Sequence, residues 1–251
     1  IDDYPFMVTA GVIALSVAFP VVFRTKPILP VTSREQLHGM GKSAIRDMLS
    51  RQGWRLTAAF ANQCDACISP SQHLAKILVE DGGLTTPCHV FPNGINTQRY
   101  HDASAADSPI TKGPNDKFII SVARLSPEKR QQALVEALPH IPDENVKLVL
   151  VGGGPYEAEL RACAERLGVA ERVIFTGMQS SDAVAALLKQ ADVFSLASYH
   201  FDNQPMTFLE AASSGLPIVY CDERMTEGLT KKNAILTDGI EGEDFAKVFN
   251  D

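Results

Sequence analysis

The stretch that decides the fold is Asp202-Asn203-Gln204-Pro205-Met206-Thr207-Phe208-Leu209-Glu210-Ala211-Ala212-Ser213-Ser214-Gly215. It lies between two short apolar runs, at residues 193–196 and 216–220, so the order strand, loop, helix, strand is predicted. Pro205 suits a first helical turn because its missing N–H costs nothing there. Gly215 suits the left-handed residue that follows the end of a helix.

The start of this helix is a candidate binding site. Unpaired backbone N–H groups at a helix start attract phosphate oxygens. Glu210 follows Asn203 by about two helical turns, and its carboxylate could accept hydrogen bonds from ribose hydroxyls. The plain alternative is an ordinary helix of a parallel sheet with a glutamate on its surface.

The rest of the second half repeats this alternation of apolar strands and amphipathic helices. The predicted strands cover residues 118–123, 146–151, 173–176 and 193–196, and the predicted helices between them cover 126–138, 156–167 and 182–189. This alternation indicates an α/β fold with a parallel sheet that is covered on both faces. In such sheets ligands bind beyond the carboxyl ends of the strands.

The first half is less regular. The predicted helices cover residues 6–18, 42–61 and 72–79, with Ser71 as the cap of the last one, and the predicted strands cover 21–24, 67–69 and 89–91. The polar run 102–116 is the one linker-like segment. The predicted domains are therefore residues 1–101 and 102–251.

Composition is typical of a globular protein, with 45% hydrophobic and 21% charged residues in a chain of 251. The net charge is −7, and the excess of acidic residues lies in the second half. This argues against a nucleic-acid groove, which needs a basic stripe, but not against a nucleotide. Residues 4–23 carry no charge, but Pro20 interrupts them, which favours a buried helix and strand over a membrane span.

The five cysteines are scattered among apolar residues, and we expect a reduced, cytoplasmic compartment. Cys64 and Cys67 have the spacing of a redox or zinc half-site. No second pair follows at a useful spacing, so a structural role is favoured. The helix predicted at residues 42–61 carries several basic residues, which hints at a membrane surface, although solvated basic faces are common.

Several polar features follow the predicted strands. Arg124 and Lys129 follow the strand at 118–123, with Lys129 in the first turn of a helix, where the helix dipole opposes a cation. Two cations beside free N–H groups would suit a diphosphate. The alternative is an ordinary pair of surface cations, one of which Glu128 could neutralise. Glycines at 152–154 either let the backbone approach a ligand or form a tight turn.

Four motifs then give a resemblance. They are Pro92-Asn93-Gly94-Ile95-Asn96, Ser121-Val122-Ala123-Arg124-Leu125-Ser126-Pro127-Glu128-Lys129, Val151-Gly152-Gly153-Gly154-Pro155 and Phe208-Leu209-Glu210-Ala211. In this order and spacing they resemble the retaining GT-B glycosyltransferases of family 4. The resemblance covers about residues 65 to 238.

The resemblance implies two Rossmann-like parallel-sheet domains, with the N-terminal one incomplete here, a nucleotide sugar in the second domain and the acceptor in the first. It also implies roles for individual residues. Arg124 and Lys129 would hold the donor diphosphate near Gly153, Asp202 would face the sugar, Glu210 would bind the ribose, Met178 and Gln179 would bind the base, and Asn203, Gln204, Pro205 and Met206 would bind phosphate and sugar hydroxyls.

Three features depart from the family's pattern. Asp202 stands where a glutamate is common, and Lys26 stands where a histidine is often found. The first strand with its Gly-rich loop and the closing C-terminal helix are missing, so we expect a fragment.

The implied activity is transfer of a hexose, with retention, from a UDP- or GDP-linked donor to a lipid or saccharide, with no metal or other cofactor. The expected protein is cytoplasmic, does not bind nucleic acid, and touches the inner face of a membrane at most peripherally through its N-terminal half. The alternatives are a non-catalytic GT-B binder of nucleotide sugars and a GT-B epimerase or phosphorylase.

Overall fold

The computed structural model describes the backbone of residues 42–250 and the side chains from residue 52 onwards. The helix predicted at residues 6–18, the strand predicted at 21–24 and Lys26 lie outside the described residues. The chain divides into two compact units, and the division falls between Pro92 and Asn93.

The described part of the first unit contains helices α1 (Lys42–Ala61) and α2 (Gln72–Glu80) and the parallel strands β1 (Cys67–Ser69) and β2 (Cys88–Val90). Its core is formed by Ala58, Leu74, Leu78 and Leu84. Ser71 accepts a hydrogen bond from the backbone N–H of Leu74, so its predicted capping role is confirmed.

Of the three cysteines of this unit, Cys64 is exposed, and Cys67 and Cys88 are partly buried. Cys67 lies opposite Cys88 in the register of β1 and β2, and both pack against the apolar core. Burial, together with the neighbouring Cys88, raises the pKa of the Cys67 thiol to about 12. All five cysteines are free thiols.

The second unit is a six-stranded parallel sheet flanked by helices. Its strands are β3 (Lys117–Val122), β4 (Val146–Val151), β5 (Val173–Gly177), β6 (Val193–Leu196), β7 (Ile218–Tyr220) and β8 (Ala234–Leu236). Its helices are α3 (Thr97–Asp102), α4 (Gln131–Ala137), α5 (Glu157–Arg166), α6 (Ser181–Gln190), α7 (Met206–Ser213) and α8 (Gly242–Phe249).

Alternate side chains of the central strands supply two cores, one on each face of the sheet. Leu148 and Leu150 of β4 pack with α4, α5 and α8, whereas Val149 and Val151 pack with α3, α6 and α7. This alternation follows from the period of two in a strand, and it requires continuous apolar runs of the kind seen in the sequence. The predicted sheet, covered on both faces, is confirmed.

The strand order β5-β4-β3-β6-β7-β8 fixes where a ligand can bind. The chain moves outward from β3 through β4 to β5, then returns to place β6 on the other side of β3. The connections from β3 and from β6 therefore lead to opposite sides of the strand order, which makes the carboxyl ends of these two adjacent strands the switch point of the sheet. Such a switch point is the usual ligand site of an open α/β sheet.

The second unit begins before the predicted domain boundary at residue 102. Tyr100 on α3 is only 5% exposed and belongs to the core beside α6 and α7. The polar segment 102–116, which looks like a linker, is tied down as well, because the Ser108 hydroxyl lies 2.9 Å from the side-chain oxygen of Gln190. Burial of Tyr100 thus places α3 with the sheet that follows it.

Some details of the structure differ from what the sequence predicts. The helix predicted at 126–138 is interrupted, because a 3₁₀ turn at Pro127–Lys129 is separated from α4 by Arg130, whose φ is 53°. Helices α3 and α8 and strand β8 were not predicted. Gly215 has a φ of 84° after the end of α7, as predicted. Within the described residues, no helix is both long enough and apolar enough to cross a membrane.

Candidate functional site

The candidate site lies at the switch point, where the loops after β3 and β6 leave the sheet side by side. The first loop, residues 123–130, carries Arg124 and Lys129. The second loop, residues 197–205, carries Asp202, Asn203 and Gln204 and leads into α7. The sequence therefore places most of the predicted diphosphate ligands on two neighbouring loops.

An ion pair joins the two loops. The Nζ atom of Lys129 lies 2.6 Å from Oδ1 of Asp202, and these side chains are 18% and 14% exposed. The other carboxylate oxygen of Asp202 accepts a hydrogen bond of 2.6 Å from the hydroxyl of Ser198. The ring of Phe201 lies 5.0 Å from the ammonium, within the range of a cation–π contact. This pair is largely shielded from water, so its charges are screened less than those of a surface pair.

The loop after β6 is held from the end of β7 by Asp222. This carboxylate is fully buried, and it accepts hydrogen bonds from the backbone N–H of His200 at 2.7 Å and from the Arg224 guanidinium. Burial opposes its ionisation, but these hydrogen bonds outweigh burial and hold the pKa of Asp222 below its ordinary value. His200 has a φ of 55°, so the hydrogen bond to Asp222 holds the loop at a residue whose backbone is in the left-handed region.

The start of α7 carries no side-chain cap. Pro205 occupies the cap position, and its side chain has no oxygen that could accept from the first N–H groups of the helix, although its backbone carbonyl accepts from the N–H of Phe208 at 3.1 Å. Asn203 is exposed before it, and Met206 is the first helical residue. This helix start can therefore offer N–H donors and a positive dipole end to an anion.

Arg124 and Lys129 differ in their surroundings. The side chain of Arg124 is exposed, and its carbonyl accepts a hydrogen bond of 2.8 Å from the side-chain amide of Gln131. The Ser126 hydroxyl, 2.7 Å away, lowers the pKa of Glu128, and the charges of Lys129 and Arg124 act in the same direction. Glu128 therefore lies near both cations, but the ion pair of Lys129 is with Asp202.

Close packing accounts for two of the three glycines after β4. A Cβ at Gly152 would lie 2.2 Å from the carbonyl oxygen of Ala123, and one at Gly154 would lie 2.1 Å from that of Leu125. At Gly153 the added atom would instead meet Cγ of Met178 at 3.2 Å. The structure thus brings Gly153 next to Met178, whose side chain is 81% exposed. The amide of the adjacent Gln179 donates to the carbonyl of Thr176 at 2.7 Å.

Glu210 has partners within the second unit. Its half-buried carboxylate is hydrogen-bonded to Tyr100 and lies near the charge of Arg99, and both lower its pKa. Burial outweighs these two effects, so the pKa of Glu210 is raised. Arg99 also lies 3.2 Å from Asp182, beside a groove of about 650 Å³ between α3 and α6. Among the described residues, Glu210 is hydrogen-bonded to Tyr100, whereas Lys129 and Asp202 pair with each other. The ribose-binding role of Glu210 stays a prediction.

Sequence reasoning missed the supports of the site. Ser198 and Asp222 hold the loop after β6, and Asn93 holds Gln204 through two hydrogen bonds. The motif at residues 92–96 was the one available signal for Asn93. Across residues 42–250, no group of three or more His, Cys, Asp or Glu side chains is placed to hold a metal ion.

Comparison with solved structures identifies the class of fold. The Anabaena HepE structure with UDP-glucose has a TM-score of 0.73 and 25% identity, over 82% of this chain and 58% of that one. Sucrose-phosphate synthase from Thermosynechococcus elongatus has a TM-score of 0.69 and 20% identity, over 85% and 54%. The fold is that of the GT-B glycosyltransferases, as the sequence predicted.

The family model described as glycosyl transferases group 1 matches residues 104–250, and the chain belongs to this family. A second model, Glycosyltransferase Family 4, matches residues 31–99.

Two curated relatives are similar over part of their length. The alpha-monoglucosyldiacylglycerol synthase of Streptococcus pneumoniae is 31% identical over 173 residues, which are 65% of this chain and 39% of that protein. The GDP-mannose-dependent alpha-(1-6)-phosphatidylinositol monomannoside mannosyltransferase of Mycobacterium tuberculosis is 35% identical over 148 residues, which are 55% and 38% of the two chains. The matched residues therefore cover less than half the length of these relatives.

Proposed function

We propose that the protein transfers a hexose from a nucleotide-diphosphate sugar to an acceptor, with retention of configuration at the transferred sugar. The observation that carries this proposal is the Lys129–Asp202 pair, which lies at the switch point of the sheet near the uncapped start of α7. Membership of the glycosyl transferases group 1 family supports it.

In this proposal the site stabilises the negative charge that grows on the leaving diphosphate. The Lys129 ammonium, the Arg124 guanidinium and the first N–H groups of α7 are suited to this task, since fixed dipoles and charges act most strongly away from water. A bound diphosphate would compete with Asp202 for Lys129 and leave the Asp202 carboxylate free to contact the sugar. The leaving oxygen would help to remove the acceptor proton on the same face of the sugar, and no metal ion is invoked.

The donor and acceptor are proposed from the relatives. The HepE structure contains UDP-glucose, and the mannosyltransferase is named as GDP-mannose-dependent, so the donor is a UDP- or GDP-linked hexose. Met178 and Gln179 would bind the base and Glu210 the ribose. Both curated relatives carry lipid substrates or products in their names, which supports a lipid acceptor over a free saccharide. We accordingly propose a cytoplasmic protein that works at the membrane surface.

The test is turnover of labelled UDP- and GDP-sugars by Lys129→Ala and Arg124→Ala variants of the protein. Each substitution removes charge that stabilises the transition state, and at least a tenfold loss of rate is expected, which corresponds to about 1.4 kcal/mol. Lys112→Ala is the matched control, because Lys112 also pairs with an aspartate, Asp192, but near the amino end of β3.

Product analysis separates this proposal from its alternatives. Near-normal rates in both variants would remove the proposed roles of Arg124 and Lys129. Binding of a nucleotide sugar without any transfer would indicate a non-catalytic binder, and conversion of the sugar without an acceptor would indicate an epimerase.

A further inference from the structure

Asn93 and Gln204 form a clasp in the second unit. The backbone N–H of Asn93 donates to Oε1 of Gln204 at 2.6 Å, and Nδ2 of Asn93 donates to the backbone carbonyl of Gln204 at 3.3 Å. The two residues are 111 positions apart in the sequence. Asn93 is also the first residue of the second compact unit, so both residues of the clasp belong to that unit.

The clasp determines how the Gln204 amide is oriented. A backbone N–H can only donate, so the atom that faces it must be the amide oxygen, and Nε2 must take the other branch. Nε2 is buried and has no hydrogen-bond partner among the described residues, and Gln204 as a whole is only 8% exposed. Leaving a buried donor without a hydrogen bond is unfavourable. The hydrogen bond from Asn93 therefore fixes the position of the amide oxygen and leaves Nε2 unpaired.

The position of the clasp connects it to the candidate site. Gln204 lies two residues after Asp202, which pairs with Lys129, and directly before Pro205, where α7 begins without a side-chain cap. A rotation of the Gln204 backbone would change the direction in which the first N–H groups of α7 point.

We propose that Asn93 is a positioning residue for the donor site, which holds Gln204 so that the start of α7 can receive the terminal phosphate of a nucleoside diphosphate. The inference rests on the proposed function, because the ligand is the diphosphate of the proposed donor. Asn93 acts through Gln204 and touches no reacting atom. In this proposal the motif at residues 92–96 positions the start of α7, whereas the cations after β3, Arg124 and Lys129, bind the diphosphate directly.

Calorimetric titration of the protein with UDP and GDP, and with the corresponding monophosphates, tests this role. Asn93→Ala removes the bond to the Gln204 carbonyl, and Gln204→Met removes the amide that the clasp holds. We expect each to weaken diphosphate binding at least fivefold while monophosphate affinity stays within twofold. The double variant should bind about as weakly as the weaker single variant, because residues that act as one unit are not additive.

Asn233→Ala is the matched control. Its side chain makes two similar hydrogen bonds in another loop of the same unit. It accepts from the N–H of Thr230 at 2.7 Å and donates to the carbonyl of Gly228 at 3.0 Å. We expect its diphosphate affinity to equal that of the parent protein. Thermal unfolding of each variant shows whether it is folded, and Gln204→Met carries the comparison if Asn93→Ala does not fold.

The outcomes are distinct. Equal diphosphate affinities of Asn93→Ala and Asn233→Ala would overturn the positioning role, while binding by the parent protein would leave the proposed function intact. Equal losses for monophosphates and diphosphates would also overturn it, since they would show a general structural role. If the parent protein binds no nucleotide and no nucleotide sugar, the proposed function fails and the donor-site role of Asn93 fails with it.

Discussion

A buried carboxylate keeps its charge only where its neighbours replace the water that it has lost. Asp222 has such neighbours, since Arg224 and the N–H of His200 donate to it and lower its pKa. Glu210 has fewer hydrogen-bond donors around it. Tyr100 donates to it, Arg99 acts only through its charge, and the pKa of Glu210 is raised. The sequence identified Glu210 as a candidate, but its burial depends on α3, which sequence patterns did not reveal.

The raised pKa of Glu210 predicts a pH-dependent gain in stability for Glu210→Gln. A raised folded-state pKa favours the protonated carboxyl, so its stabilising contribution is complete below the ordinary pKa and is lost as the pH rises through the folded value. Glutamine keeps an oxygen that Tyr100 can donate to and carries no charge. The variant should therefore gain free energy of unfolding over the parent at pH 7.5, with a smaller gain at pH 4, as measured by chemical denaturation.

Glu159→Gln is the matched control, because Glu159 lies exposed on α5 in the same unit. If the parent protein were more stable than Glu210→Gln at pH 7.5, the claim that burial of Glu210 opposes its ionisation would be lost. A gain in stability together with weaker nucleotide binding would mean that this carboxylate is retained for its ligand.

Elements with a continuous apolar pattern were predictable, and irregular ones were not. Strand β4 lies where its apolar run places it, and strand β3 does so to within one residue. Helix α3 has only six residues, too few to show a helical period, and β8 has exposed side chains at two of its three positions. Motifs local in sequence likewise indicated Lys129 and Asp202, whereas contacts between distant residues, such as the clasp of Asn93 and Gln204, leave no local pattern.

The loop after β4 allows a prediction about its glycines. Gly154→Ala would place a methyl group 2.1 Å from the carbonyl oxygen of Leu125, which belongs to the backbone and cannot rotate away. We expect a loss of about 2 kcal/mol or more in the free energy of unfolding, as for other overpacked sites. Gly153→Ala meets only the exposed Met178 side chain at 3.2 Å, and a change within about 0.5 kcal/mol is expected.

Denaturant titration of both variants checks this difference. Parental stability in Gly154→Ala would show that the close approach to Leu125 is relieved at little cost, and the argument from packing would be wrong. Nucleotide affinity is informative for Gly153→Ala, because a loss without any change in stability would support the predicted contact of Gly153 with the donor.

At the scale of the whole molecule, the second unit carries its own core. Both faces of its sheet are covered by helices from within residues 93–250, and the polar segment that looks like a linker is bound to α6. Composition places the boundary of this unit at the polar run 102–116. Burial places the boundary earlier, because the unit must then include the buried side chain of Tyr100. Composition could not distinguish these positions, because it does not show which single aromatic side chain enters the core.

Two shortened chains test which boundary is correct. The chain 93–251 retains Tyr100 and the clasp of Asn93, so we expect it to unfold cooperatively and to bind nucleoside diphosphates. The chain 102–251 lacks both, and removing a buried aromatic side chain costs about 3–5 kcal/mol. For a unit of this size, that cost lowers the Tm by roughly 6–20 °C. Equal Tm values measured by calorimetry would place Tyr100 outside the cooperative core and favour the later boundary at residue 102.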